Sequence, residues 1–164
     1  KEHSKIVREI IKISERVNVI YVPGNHDDFV RPFLMKSFDF GNFKIHKEYD
    51  YKTIDGRTIL VTHGDKYDIW MRVPTKVINF LGHFTDWIPE SEKKDQTIKR
   101  YVRSSRTEKV LRGYVQIRKK YDGVICGHTH EPKIDGIYMN TGDWKKNCSY
   151  IVETKLGEFK LKWI

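Results

Sequence analysis

An α/β fold is predicted by three features of the chain. Apolar, β-branched runs at residues 19–22, 59–61 and 124–126 have the length and composition of buried strands. Each run is followed by glycine beside polar residues: Gly24-Asn25-His26-Asp27, Thr62-His63-Gly64-Asp65 and Gly127-His128-Thr129-His130. Helical patterns precede the first and the last of these runs. Alternation of helices and strands builds sheets whose sites lie beyond the carboxyl ends of the strands.

Residues 4–16 read as a helix, because Ile6, Val7, Ile10, Ile11 and Ile13 recur at helical spacing among Lys, Arg and Glu. The strand at 19–22 follows, and Pro23-Gly24 ends it, which leaves Asn25 and His26 on the loop beyond. Strands are expected at 43–49 and 51–54, with Asp55-Gly56 as a two-residue hairpin turn. The returning strand at 57–61 delivers His63, and the strand at 123–126 delivers His128 and His130. Asp135-Gly136 marks a turn before a short strand at 137–139. The chain closes on a hairpin, 148–153 and 158–163, about a Lys155-Leu156-Gly157 turn.

Between residues 69 and 121 the texture changes. Trp70, Met71, Ile78, Phe80, Leu81, Phe84, Trp87 and Ile88 give way to a dense basic run. Lys99, Arg103, Arg106 and Lys109 fall at helical spacing, so one helix face is strongly positive. A solvated face is the ordinary reading of such a run. Its place between two ligand-bearing strands points instead to a helical cap, residues 69–121, with Arg103 and Arg106 meeting an anionic substrate.

A chain of 164 residues fits one domain, residues 1–164, with a substantial core. Its 38% hydrophobic content excludes disorder as the main reading, and no apolar run approaches the roughly 18 residues of a membrane span. The formal charge of +9 suits phosphate-bearing partners: nucleic acid, an anionic lipid surface or a phosphorylated small molecule. Two cysteines, Cys126 and Cys148, in strand-like contexts make no disulfide framework and suit a reducing compartment. No signal peptide precedes the first motif, and the chain starts at Lys1 without a methionine, so an upstream portion is expected.

Neutral imidazole and amide oxygen, mixed with carboxylates, suit Mn²⁺, Fe, Co²⁺ or Zn²⁺. Two such ions about 3.5–4 Å apart hold a hydroxide and orient a phosphoryl group for in-line attack. His26, beside Asn25, is placed to protonate the leaving-group oxygen. Duller roles exist for each residue alone. His63 also fits a satisfied buried histidine, His128 and His130 fit surface polar groups, and Asp27 and Asp65 fit turn residues. The joint pattern at three strand ends favours a metal-dependent phosphoesterase; His3, His46 and His83 have no such company.

These blocks resemble the last three of the five that define the calcineurin-like metallophosphoesterases: D-x-H, G-D-x-x-D, G-N-H-D/E, a His-Gly pair and G-H-x-H. The resemblance implies that Asn25, His63 and His128 bind the second metal, His130 binds the first, and His26 is the proton donor. It also implies a sandwich of two mixed β-sheets flanked by helices. Manganese is the preferred ion of the two expected. VNVIYVPGNHDD (17–28), LVTHGD (60–65), DGVICGHTH (122–130) and NTGDWKKNCSYIVE (140–153) are similar to the branch of UDP-2,3-diacylglucosamine hydrolases. That branch splits the pyrophosphate of a nucleotide-linked acylated sugar in lipid A synthesis, and carries a helical insertion over the site.

The chain departs from the family pattern in lacking D-x-H and G-D-x-x-D before Asn25. Those blocks supply the remaining metal carboxylates. The expectation is therefore an N-terminally truncated domain, inactive alone, of a bacterial phosphohydrolase. Its location would be cytoplasmic, with peripheral association at an anionic inner membrane. The competing reading is a basic module that binds anionic lipid or, with less support, nucleic acid without hydrolysing it. A phosphodiesterase or protein phosphatase of the same superfamily is the alternative within the enzyme class.

Overall fold

The computed structural model describes residues 2–27, 39–68 and 96–164, and within these the side chains of 5, 8–27, 41–68 and 104–164. The element order is mixed α/β. Helix α1 spans Glu2–Ser14 and leads into β1, Val19–Tyr21. Strands β2 (Asp39–Phe40) and β3 (Phe43–Ile45) join β1 in a three-stranded sheet of order β1-β3-β2, with β1 and β3 parallel. Ile10, Ile11 and Ile13 of α1 remain exposed among the described residues.

The main sheet has five strands in the order β4-β5-β6-β8-β7. They are β4 (Glu48–Lys52), β5 (Thr58–Thr62), β6 (Gly123–Cys126), β7 (Lys133–Asp135) and β8 (Tyr138–Asn140). The sheet is mixed: β5–β6 and β6–β8 run parallel, β4–β5 and β7–β8 antiparallel. A separate antiparallel hairpin joins β9 (Ser149–Glu153) to β10 (Phe159–Trp163).

Three sequence expectations need adjustment. The stretch 43–54 divides at His46-Lys47 rather than at Asp50, because β3 belongs to the β1 sheet while β4 pairs with β5. His46 N–H still donates to Tyr21 C=O at 3.0 Å, which carries the first ladder to the crossing point. The Asp55-Gly56 turn is a three-residue loop: Gly56 N–H donates to Thr53 C=O, Thr53 N–H donates to Arg57 C=O, and Gly56 has φ 90°. Strand β7 is an addition to the expected elements: every residue in it is exposed and Ile134 is its one apolar residue.

Helix α2 spans Gln96–Arg118. Leu111 and Val115 pack onto the main sheet against Leu60, Val124, Cys126 and Tyr138, with Tyr67 closing the cluster. Period-2 alternation sends Leu60 and Val124 to this face and Ile59 and Met139 to the other. Ser104 and Thr107, both buried, extend the packed side of α2 toward its N-terminal half. Arg106 and Lys109 are exposed, as their helical spacing requires. The Arg103 and Lys99 side chains, and residues 69–95 with Trp70, Phe80, Phe84, Trp87 and Ile88, lie outside what is described. No helix among the described residues is long and apolar enough to cross a membrane.

Candidate metal centre

Parallel pairing of β5 with β6 fixes which residues share an edge. Val61 lies opposite Ile125, so His63 and the Gly127–His130 loop leave the sheet side by side. Gly127 N–H donates to His63 C=O at 3.0 Å and extends the ladder one step beyond the strands. The His63 and His128 rings meet edge to face, with centroids 5.3 Å apart.

The end of β1 brings the third group. Gly24 to Asp27 form a β-turn, closed by Asp27 N–H donating to Gly24 C=O at 3.1 Å. Asp27 Oδ2 accepts from Gly24 N–H at 2.8 Å, which gives Asp27 a turn-closing role. Asn25 and His26 occupy the two central positions. Asn25 Oδ1 lies 3.1 Å from His63 Nε2, and His26 is exposed at the tip. Burial, then the hydrogen bond it donates to Asp27, pushes the Tyr21 hydroxyl up to about 12, which keeps it a neutral donor.

Gly24 is required by packing. A Cβ there would lie 2.5–2.8 Å from Cε1, Nε2 and Nδ1 of His63. The imidazole therefore lies against bare backbone. Gly64, at φ 108°, makes the sharp exit after His63 that a side chain resists.

His128 and His130 both adopt left-handed backbone, with φ of 63° and 59°. Such residues cost roughly 1–2 kcal/mol each and persist where the surroundings over-determine them. The surroundings here centre on Asn140, fully buried at the end of β8. Its Nδ2 donates to Gly127 C=O and Thr129 Oγ1, each at 2.8 Å, and its Oδ1 accepts from Gly142 N–H at 2.8 Å. His130 Nδ1 faces Asp143 Oδ2 at 3.6 Å, and Asn147 Nδ2 donates to the His130 carbonyl at 3.0 Å. Asp143 also gathers the backbone N–H groups of Lys145 and Lys146, which hold its carboxyl below the usual range.

The donor chemistry fits a divalent ion. Burial first, and then the neighbouring His128, pushes the His63 imidazole down, which favours its neutral form. The 3.1 Å contact between Asn25 Oδ1 and His63 Nε2 is a hydrogen bond when Nε2 carries the proton, and it also matches the spacing of two ligands that each sit about 2.1 Å from one ion. Asn25, His63 and His128 are thus brought together. His130 lies on the same loop, but its ring is half exposed and turned to Asp143. Among the described residues, no group of three or more His, Cys, Asp or Glu is arranged to hold an ion. The converging set is two imidazoles and an amide. Arg106 is exposed on α2, away from the buried face of that helix.

Two buried residues at this edge escaped the sequence reading. Asn140 is the last residue of β8, one beyond the expected end at Met139, whereas Asn25, His63 and His128 lie on loops past their strands. Asp68, at 1% exposure, follows Asp65 by three residues and sets Oδ2 2.9 Å from His128 Nε2.

No curated protein gives a significant match to the chain. The family model for calcineurin-like phosphoesterase matches residues 1–132, which cover the segments around Asn25, His63 and His128. Members of that family generally bind divalent metals. With its mixed sheet and converging Asn25, His63 and His128, the chain belongs to the calcineurin-like phosphoesterases, metal-dependent hydrolases of phosphoesters.

Proposed function

We propose that this chain carries the second-metal half of a dinuclear phosphohydrolase that cleaves a pyrophosphate, with a UDP-2,3-diacylglucosamine-like nucleotide sugar as substrate. The observation that carries the metal reading is the 3.1 Å approach of Asn25 Oδ1 to Nε2 of the half-buried His63, beside the His128 ring. Asn25, His63 and His128 would hold one ion and His130 the other, with Mn²⁺ as the ion. The two-sheet sandwich and the cap over residues 69–121 belong to the same reading, as does peripheral contact with an anionic membrane.

When bound, the ions supply a hydroxide nucleophile and neutralise charge on the phosphoryl oxygens. The chain's own part begins with orientation. Gly24 lets the His63 ring lie flat on the turn, and the Asn140 bonds fix the loop that presents His128 and His130. His26, exposed beside Asn25, donates a proton to the leaving oxygen as the phosphorus–oxygen bond breaks, a role typically worth about 10²–10⁴ in rate. Arg103 and Arg106 hold the phosphates of the substrate from the basic face of α2.

The substrate half of the reading is supported by the sequence blocks at 17–28, 60–65, 122–130 and 140–153. Its test is Mn²⁺-dependent hydrolysis of UDP-2,3-diacylglucosamine beside a simple aryl phosphodiester, with full-length protein. Preferential cleavage of the nucleotide sugar, releasing UMP, is expected. Equal or better turnover of the diester would leave a general phosphodiesterase, and tight binding of anionic vesicles with no hydrolysis would favour the basic module.

A further inference from the structure

Asp68 is nearly as buried as any of the described residues, yet it is a carboxyl group beside His128 at the edge of the proposed metal centre. It follows the 3-10 turn Asp65–Tyr67, and its N–H donates to Asp65 C=O at 3.0 Å. Its Oδ2 lies 2.9 Å from His128 Nε2, and that imidazole is itself only 6% exposed. A buried carboxyl is expensive unless it is hydrogen-bonded, so this contact is a built one. The backbone of His128 is held separately, in left-handed conformation, by the Asn140 bonds to the same loop.

We propose that Asp68 is the positioning residue for His128: it accepts the Nε2–H of the imidazole and leaves Nδ1 as the nitrogen that faces the metal. The inference rests on the metal reading above and adds the atom through which His128 binds. An imidazole that donates one N–H to a carboxylate has its ring plane and tautomer fixed and its other nitrogen made more basic. Two independent restraints then act on one ligand. Asn140 sets where the backbone stands, and Asp68 sets which nitrogen looks inward.

The test uses full-length protein labelled with ¹⁵N-histidine. In the metal-free wild type, long-range ¹H–¹⁵N correlation should show His128 as the Nε2–H tautomer. On loading with ¹¹³Cd²⁺, coupling should appear at His128 Nδ1. Asp68→Ala should mix the tautomers and weaken Mn²⁺ binding roughly 10–100-fold. Asp68→Asn, whose Oδ1 still accepts from Nε2–H and which preserves the shape of the site, should keep the tautomer and weaken binding less. An Nδ1–H tautomer in the wild type overturns the proposal. So does cadmium coupling at Nε2, which would make Asp68 and His128 direct neighbours on one ion. Wild-type tautomer and affinity in Asp68→Ala would overturn it as well. If no divalent ion binds at all, the metal reading fails, while the metal-free tautomer still decides what Asp68 does.

Discussion

Gly24 is the residue at which local geometry most directly limits the site, because its missing side chain is the space the His63 ring occupies. A Cβ at 2.5–2.8 Å from three ring atoms forces either the turn or the imidazole to move. Gly24→Ala should therefore lower Mn²⁺ affinity tenfold or more with little loss of helix or sheet signal, measured by calorimetric titration beside circular dichroism. Unchanged affinity would mean that the His63 position is irrelevant to the ion. His26 and His63 should separate by function. His26→Ala should lower turnover by about 10²–10⁴ while keeping its metal, whereas His63→Ala should lose metal and activity together, read by metal analysis of the purified variants. Comparable metal loss in both would reverse the assigned roles. That Asn25, His63 and His128 approach one another was legible in the sequence because each follows a recognisable apolar run, whereas the turn of His130 toward Asp143 was not. Asp68 and Asn140 were not legible either, since a buried polar residue declares itself only once its partners are known.

At the scale of elements, the strands with apolar signal were legible, and the sheet they joined was not. The 43–54 stretch reads as strand throughout; only pairing partners separate β3 from β4, and those lie in different sheets. Strand β6 was found at its true limits because its burial is nearly complete. The basic run of α2 spoke of charge, while its buried face spoke more softly through Leu111 and Val115. Leu111→Ala should destabilise the protein by about 2–5 kcal/mol, the usual range for a large buried aliphatic, measured by denaturant unfolding. A loss well below that range would show that α2 is not anchored on the main sheet. The hairpin tips give a pH prediction. Asp55, bonded first by Arg57 and then by Thr53, has its carboxyl lowered to about 2. Because the folded value is depressed, its contribution is present above the unfolded value of about 3.9 and is lost as pH falls through about 2. Thermal midpoints of wild type and Asp55→Asn should therefore differ above pH 4 and converge toward pH 2. A constant gap across that window would rule the ionised Asp55 out as the source.

For the whole molecule, the question is whether the charge of +9 acts as a diffuse field or at a particular place. A diffuse field would attract any phosphate-bearing ligand to any face, and salt would screen it with a Debye length of about 10 Å at 0.1 M. A local patch would depend on which residues are reversed. Many of the basic residues in and after α2 are already committed to structure: Arg112 pairs with Glu108 and Asp135, Lys120 with Asp50, and Lys133 with Glu108. Exposed Arg106 on α2 and Lys155 and Lys160 at the β9–β10 turn end offer a comparison. That turn packs on the β4–β5 turn, with Arg57 Nη2 donating to Gly157 C=O at 2.6 Å, at the opposite end of β5 from His63. Arg103→Glu with Arg106→Glu, and Lys155→Glu with Lys160→Glu, change the net charge by the same amount. Binding of a UDP-sugar to full-length protein at 0.1 M salt should weaken roughly tenfold or more in the first double variant. It should weaken less than threefold in the second, where the reversed charges stand more than a Debye length from the site. Equal losses in the two would assign the effect to net charge alone, and Arg103 and Arg106 would then have no claim to the substrate.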